Sequence, residues 1–383
     1  MKKFIILIPL FFIIFNFISP INIVHADALT DNITEQLGKI DLSELKEFIK
    51  NNSNNFGDGL IINLEKMIKG EFSLDFNSVF QYILNLFINS SKNSLPILIS
   101  IFAIAIFCGL VESFKGSFFS NEISSVIFFV GIIGVLLLFS TQIYDLYDKT
   151  LYLINSISTF NQIVSPILLS LMIASGGNVS VGVFKPSVFI LSGLITQIIV
   201  NVVMPLVLLS CIFSVMNEFS DSVRIKRFSN FFNSLIKWII GLTITVFGLF
   251  VTVQGIASAT FDGISIKAVK YAISNSIPLI GGFLKDGFDV VVAGSVLIKN
   301  AIGASSLIYI FSLLLSPLIE IIVFSLLLKF LSALIEPFAN QKLCNVCAEA
   351  SKSVTYFLVC VLFVFFLFFI VVLLIIFSAN YII

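Results

Sequence analysis

Residues Gln254 to Gly303 read QGIASATFDGISIKAVKYAISNSIPLIGGFLKDGFDVVVAGSVLIKNAIG. Long apolar runs with almost no charge flank this stretch on both sides. Inside it charge returns, as Asp262, Lys267, Lys270, Lys285, Asp286, Asp289 and Lys299. Small residues are dense, and apolar residues recur at helical spacing. Ile266, Val269, Ile273 and Ile277 form one stripe, and Leu284, Phe288, Val291, Ser295 and Ile298 form another. Such stripes suit helices half in lipid or half in water rather than helices buried on all sides. The plain reading is two interfacial helices linking two spans. The functional reading is a wetted segment that takes part in whatever the protein does beyond sitting in a membrane.

Outward from this stretch, composition decides the class. The chain is 58% hydrophobic and 11% charged, with a mean hydropathy of +1.09, whereas an ordinary soluble domain is about 25% charged. Several apolar runs exceed the roughly 18 residues that mark a membrane-spanning helix. The runs are continuous rather than alternating, which excludes a transmembrane barrel. The expected fold is all-α: a polytopic helical membrane protein with a cleavable signal peptide and a small helical extracytoplasmic N-terminal domain. The 43 phenylalanines accompany abundant Ile, Asn and Lys. That mixture can come from an AT-rich genome, so no aromatic site is read from it. Net charge is zero, with no basic tail, so nothing points to nucleic acid.

The single histidine, His25, gives the sharpest exclusion. Met1-Lys2-Lys3 is a charged n-region, Phe4–Ile18 an apolar h-region, and Val24-His25-Ala26 a small-x-small cleavage site, placing cleavage after Ala26. An uncleaved anchor is the alternative. After cleavage the mature chain has no histidine, which removes Ser-His-Asp and Cys-His catalysis and any His-ligated metal. Residues 27–94 then form an extracytoplasmic helical region. Asn32 with Glu35, and Asp41 with Glu44, look like helix starts with an acid at N3. Leu29, Ile33, Leu37 and Ile40 share a face, Asn51 to Gly59 reads as a loop, and Phe72 to Phe87 form an apolar face leading into the membrane. The region is too short for a large core of its own.

Residues 95–383 are expected to form the membrane domain, with about six to eight spans. Leu95–Val111 and Ile123–Ser140 are the first two, joined by a loop at Gly116 and Ser117. Thr141–Thr159 reads as a more polar connection, and Phe160–Ser175 as a segment short enough to be re-entrant. Phe184–Met216 is long and interrupted at Met204-Pro205. Within it Gly193, Gln197 and Asn201 fall at i, i+4 and i+8, a small, polar face that in lipid should meet protein or water. Helix-to-helix hydrogen bonding and a permeation path both fit it. Asn217–Lys237 carries Arg224, Lys226, Arg227 and Lys237, so the positive-inside tendency puts it in the cytoplasm. An odd number of crossings must then separate it from the external N-terminal region. Trp238 sits where an interfacial anchor is expected. Leu235–Val253 returns outward and delivers the opening stretch to the external side.

Ala301–Ile335 reads as two spans or a hairpin split at Ser316-Pro317, and Val354–Phe377 as the last span. Lys329, in mid-span, is a functional candidate or a snorkelling cation. Cys344 and Cys347 fall in the expected loop Pro337–Lys352. Two cysteines without histidine do not complete a zinc site, and incidental spacing is the reading adopted. Cys108, Cys211 and Cys360 look like packing residues. No nucleotide-binding motif and no paired intramembrane carboxylates occur, so no cofactor and no enzymatic activity are expected.

Several blocks resemble the stage III sporulation protein AE family of endospore-forming bacteria. They are Ala174-Ser175-Gly176-Gly177 with Val179-Ser180 and Phe184-x-Pro186; Asn201 to Leu206; Val253-Gln254-Gly255 through Asp262-Gly263-Ile264; Lys267 and Lys270 with Asn275-x-x-Pro278; and Leu297-x-Lys299-Asn300 with Gly303. The resemblance is dense from Ala174 to Gly303. It is weak over Asp27–Ser94 and Pro337–Cys347. It implies a protein made in the mother cell from an operon of eight genes. It further implies a large polytopic, permease-like subunit of a secretion-like channel in the outer membrane around the forespore. The implied partners are the other subunits of that stage III complex, including a secretion-type ATPase, and the implied roles are forespore growth and late forespore gene expression. Gln254, Gly255, Asp262, Gly263, Lys267, Lys270, Pro278, Lys285, Asp289, Lys299 and Asn300 become the candidate channel or partner-contact residues. Lys267, Lys270, Lys285, Asp289 and Lys299 are expected to face water. Gln197, Asn201 and Lys329 are the candidate intramembrane polar groups. An independent small-molecule transporter is the alternative. It predicts internal repeats and midplane charges, and this sequence shows no convincing repeat and few such charges.

Overall fold

The computed structural model describes residues 41–52, 76–116, 120–175, 185–217, 226–276 and 281–377, with the backbone alone at 76, 121, 185, 226, 255–276 and 281–290. The signal peptide, the cleavage site, the Leu29–Ile40 face, the Asn32 helix start, Ser117, Arg224 and Pro278 lie outside the described residues, as does most of the Asn51–Gly59 loop.

Every described element is helical: α1 (Ser43–Asn51), α2 (Phe76–Ser113), α3 (Asn121–Ala174), α4 (Lys185–Ile198), a π-helical segment (Ile199–Val203), α5 (Met204–Asn217), α6 (Lys226–Ser276), α7 (Gly281–Ile335) and α8 (Gln341–Phe377). Among the described residues six helical segments are long and apolar enough to cross a membrane: Asn77–Ser113, Glu122–Ala174, Pro186–Asn217, Arg227–Gln254, Val291–Ile335 and Gln341–Phe377. This is a multi-pass architecture. Three of these segments precede residues 218–225.

Local chemistry explains the boundaries. At α1 the Asp41 carboxylate accepts from the Ser43 hydroxyl (2.5 Å) and the Ser43 N–H (2.9 Å), an Asx turn that starts the helix. The helix therefore begins where expected, but Leu42 is the N-cap and Glu44 sits at N2 rather than N3. Between α2 and α3 the chain reverses through Gly116, whose φ of 86° favours a residue without a side chain. The Ser120 hydroxyl then caps α3.

Several expected breaks are not breaks. Thr141–Thr159 and the supposed re-entrant Phe160–Ser175 belong to the single 54-residue α3, which carries Pro166 inside it. Pro317 likewise lies inside the 55-residue α7, so Ala301–Ile335 is one helix and not a hairpin. In both, buried neighbours support the backbone around the proline: Val164, Leu168, Leu314 and Leu318 are all buried. Packing of this kind can outweigh the lost hydrogen bond of an internal proline. Pro205 is absorbed differently. The turn before it widens, and the Met204 N–H reaches back five residues to the Ile199 carbonyl. Cys344 and Cys347 are in the first turns of α8 rather than a loop, which shrinks to residues 336–340.

The core is built around α8, whose Val354, Phe357, Val361, Val364, Phe368 and Val372 are all buried. It packs along α7 and touches α3, α4 and α5. Glycines set close approaches, two of them at the end of α8 and at the turn before it. A Cβ on Gly109 would strike the Phe338 carbonyl oxygen, so α2 meets the α7–α8 turn backbone to backbone. A Cβ on Gly303 would lie 2.8 Å from Ile376, so α7 and the end of α8 are similarly close.

Candidate functional site

The opening stretch forms the far end of α6, the connection 277–280 and the first part of α7. It therefore joins two long helices rather than forming two separate interfacial ones. Gly255, Asp262, Gly263, Lys267 and Lys270 lie on α6, and Lys285 and Asp289 on α7, but their side chains, like Pro278, lie outside the described residues.

Its two described ends are buried. Gln254 is 3% exposed and Lys299 is 0% exposed. Lys299 was expected to face water; instead its Nζ donates to the Ile376 carbonyl at 3.3 Å. Ile376 lies in the last turn of α8, where carbonyls lack helical partners and a cation is favourable. The stripe around it is buried on more than one side. Val292, Ser295, Val296 and Ile298 are all enclosed, while Val291 remains 40% exposed. The spacing in Leu297-x-Lys299-Asn300 and Gly303 thus serves a helix-end contact: lysine caps α8, and one turn on, glycine lets Ile376 and Val372 close in.

Gln197 and Asn201 are both exposed and bond each other, Asn201 Nδ2 to Gln197 Oε1 at 3.0 Å. The structure does not turn that polar face inward; Ile190 and Leu194, exposed at 64% and 58%, lie nearby on the same helix. Lys329 is exposed between Leu326 and Phe330, themselves 51% and 63% exposed, as suits a snorkelling cation. Trp238 is 66% exposed but lies well inside the Arg227–Gln254 segment rather than at its start, where an anchor was expected. All five cysteines are buried free thiols. Among the described residues no three His, Cys, Asp or Glu side chains come together as a metal site.

Three polar features were not singled out from the sequence. Lys149 bridges α3 and α7, bonding Glu320 at 2.6 Å and Asp145 at 2.8 Å. Asn340 Nδ2 donates to both oxygens of Glu112 at 2.9 Å, tying the α7–α8 turn to the end of α2. Ser325 and Ser351 pair across α7 and α8 at 3.0 Å. The partners are 171, 228 and 26 residues apart, so no local spacing announces them.

The fourth feature is the outward face of α3. From Ile123 to Leu137 it exposes Ile123, Val126, Phe129, Val130 and Leu137. Beyond Ser140 the exposed positions change to Asp145, Asp148, Tyr152, Asn155, Thr159 and Gln162, continued by Pro166 and Ser170. The opposite face stays apolar and buried, through Ile154, Ile157, Val164, Leu168 and Leu171. Spacing alone could have found this stripe, because its members recur every three or four residues. The mean apolarity of the segment hid it. Beside it, Tyr152 donates to Asn52 at 2.8 Å, and Phe48 of α1 packs on Phe160 at 5.5 Å. The other face of α1 exposes Glu44, Lys46, Glu47 and Lys50. Between α2 and the first half of α3 runs a groove of about 630 Å³ lined by Ala103, Ile104, Phe107, Val126, Ile127, Val130, Gly131 and Gly134, with no polar side chain.

These features define an all-helical, multi-pass membrane protein whose charged side chains cluster at helix ends, at one bridge between helices and along one flank. The sequence model described as Stage III sporulation protein AE (spore_III_AE) matches residues 62–379, and the chain belongs to that family. It is 23% identical over 341 residues to the stage III sporulation protein AE of Bacillus subtilis (strain 168), covering 87% of this chain and 84% of that one. No solved structure matches it.

Proposed function

We propose that this chain is the non-enzymatic membrane subunit of a secretion-like channel joining mother cell and forespore during endospore formation. It resides in the mother-cell membrane around the forespore and supports forespore growth and late forespore gene expression. The observation that carries the reading is the family match over residues 62–379. The architecture suits the role. A subunit that takes its driving force from a partner ATPase needs spans and docking faces, not a nucleotide site. The external end of the α6–α7 pair, with Asp262, Lys267, Lys270, Lys285 and Asp289, is the proposed contact with other subunits of the complex, while Lys299 ties its base to the end of α8.

Deleting the gene in its spore-forming host tests the reading. Forespores should engulf normally, then shrink and leave a late forespore reporter silent, and a wild-type copy should restore both. Normal spores from the deletion strain would remove the proposal.

A further inference from the structure

We propose that the outward polar stripe of α3 is a water-facing wall inside the membrane, and that the outer face of α4 around Ile190 and Leu194 is the lipid wall at the same depth. This rests on the channel reading and assigns the path to residues outside the opening stretch.

The argument begins with helix geometry. At 100° per residue, positions 145, 148, 152, 155, 159, 162, 166 and 170 fall within a sector about 100° wide. At 1.5 Å per residue the stripe is about 38 Å long, more than the roughly 30 Å hydrocarbon thickness of a bilayer. Turned toward lipid, Asn155 and Gln162 would present amides with no hydrogen-bonding solvent, each at a cost of several kcal/mol. Polar side chains at this depth belong against protein or water. The neighbouring flank favours water. α1 lies against Phe160 and Tyr152, and its outer face exposes two lysines and two glutamates, which do not belong in hydrocarbon.

The lipid wall is assigned from the other flank. Asn161 Nδ2 lies 3.4 Å from the Ser192 hydroxyl, which sets α4 level with the middle of the stripe. On either side of Ser192, Ile190 and Leu194 are exposed at 64% and 58%, and further along the same face the exposed Gln197 and Asn201 satisfy each other by a hydrogen bond. One level of the bundle therefore presents polar residues on one flank and large apolar residues on another. A membrane protein that borders both water and lipid requires this division.

Cysteine substitution separates the alternatives. Asn155→Cys, Thr159→Cys and Gln162→Cys are compared with Ile190→Cys and Leu194→Cys in membranes from the sporulating host, with the full chain in its own complex. The unsubstituted chain, whose five thiols are buried, sets the background. The probe is a charged, membrane-impermeant methanethiosulfonate, which reacts with thiolate and so needs water. The stripe positions should react at least about tenfold faster than the α4 positions. If neither set reacts, the stripe is sealed against protein and the proposal fails. If both react, this level stands outside the bilayer and the proposal also fails. Because the readout is chemical access and not sporulation, it stands or falls separately from the deletion phenotype.

Discussion

Lys299 shows how a charge in an apolar chain can serve packing. An ammonium buried without partners costs several kcal/mol, yet this one sits where the end of α8 offers carbonyls with no helical donors. Hydrogen bonds involving a charged group contribute about 1.5–3 kcal/mol. Lys299→Ala should therefore lower stability by about that much, read as a clear drop in the unfolding temperature of the purified protein in detergent. Lys329→Ala, at an exposed position, should change it by less than about 0.5 kcal/mol. Equal effects from the two would contradict the capping role. Asp41 gives a smaller, pH-dependent case outside the membrane. The Ser43 hydroxyl and then the Ser43 N–H hold its carboxyl below its ordinary value. Because the folded value is depressed, the stabilisation is fully present above the unfolded value of about 3.9 and fades as pH falls through the folded one. The protection of the Ser43 amide, its exchange relative to the unfolded rate at the same pH, should hold at neutral pH and be lost only under acid conditions. Loss of protection near pH 6 would implicate a different group.

Contacts between helices depend on how closely backbones approach and on what bridges them. At Gly109 the obstacle to a side chain is the Phe338 carbonyl, part of a backbone that cannot rotate away. At Gly303 it is Cγ1 and Cδ1 of the Ile376 side chain, at 2.8 and 2.9 Å, an overlap smaller than at Gly109 and against side chain rather than backbone. Gly109→Ala should thus destabilise by about 1–3 kcal/mol through overpacking, and Gly303→Ala by clearly less. Thermal unfolding of the two purified variants decides the order, and the reverse order would mean that the α2 end is not held against the α7–α8 turn. The Lys149–Glu320 bridge is partly solvated, with side chains 45% and 21% exposed. Its coupling should therefore lie within the 0.2–1 kcal/mol of such pairs. Lys149→Glu and Glu320→Lys should each lose stability, and the exchanged double variant should recover part of it in a double-mutant cycle. No recovery would mean the pair does not join α3 to α7.

For the molecule as a whole, if each of the six apolar segments among the described residues crosses once, the end of α8 returns to the side from which α2 enters. Topology reporters should find residues 43–51 and the chain after Phe377 on the same, external face, and the connections 114–120, 218–225 and 336–340 on the cytoplasmic face. A cytoplasmic report after Phe377 would require an odd number of crossings and a different path for α7 or α8. The class and most spans were legible because burying 20 apolar residues in lipid needs nothing but length and composition. The breaks were misread for the converse reason. Pro166 and Pro317 weaken a helix locally, and only the packing around them determines whether it continues.

The primary structure alone settles what depends on local chemistry and bulk transfer: an all-helical membrane protein, its apolar segments, the α1 start at Asp41, the reversal at Gly116 and the blocks that carry the family. Tertiary structure decides which side of each helix meets which environment. It buries Lys299 under α8, turns Gln197 and Asn201 outward, joins Lys149 to Glu320 across 171 residues, and leaves a polar stripe on a helix whose average composition reads as lipid-soluble. An apolar segment fixes how many residues can enter a membrane, whereas the orientation of its few polar groups is fixed by the neighbours that cover the remaining faces.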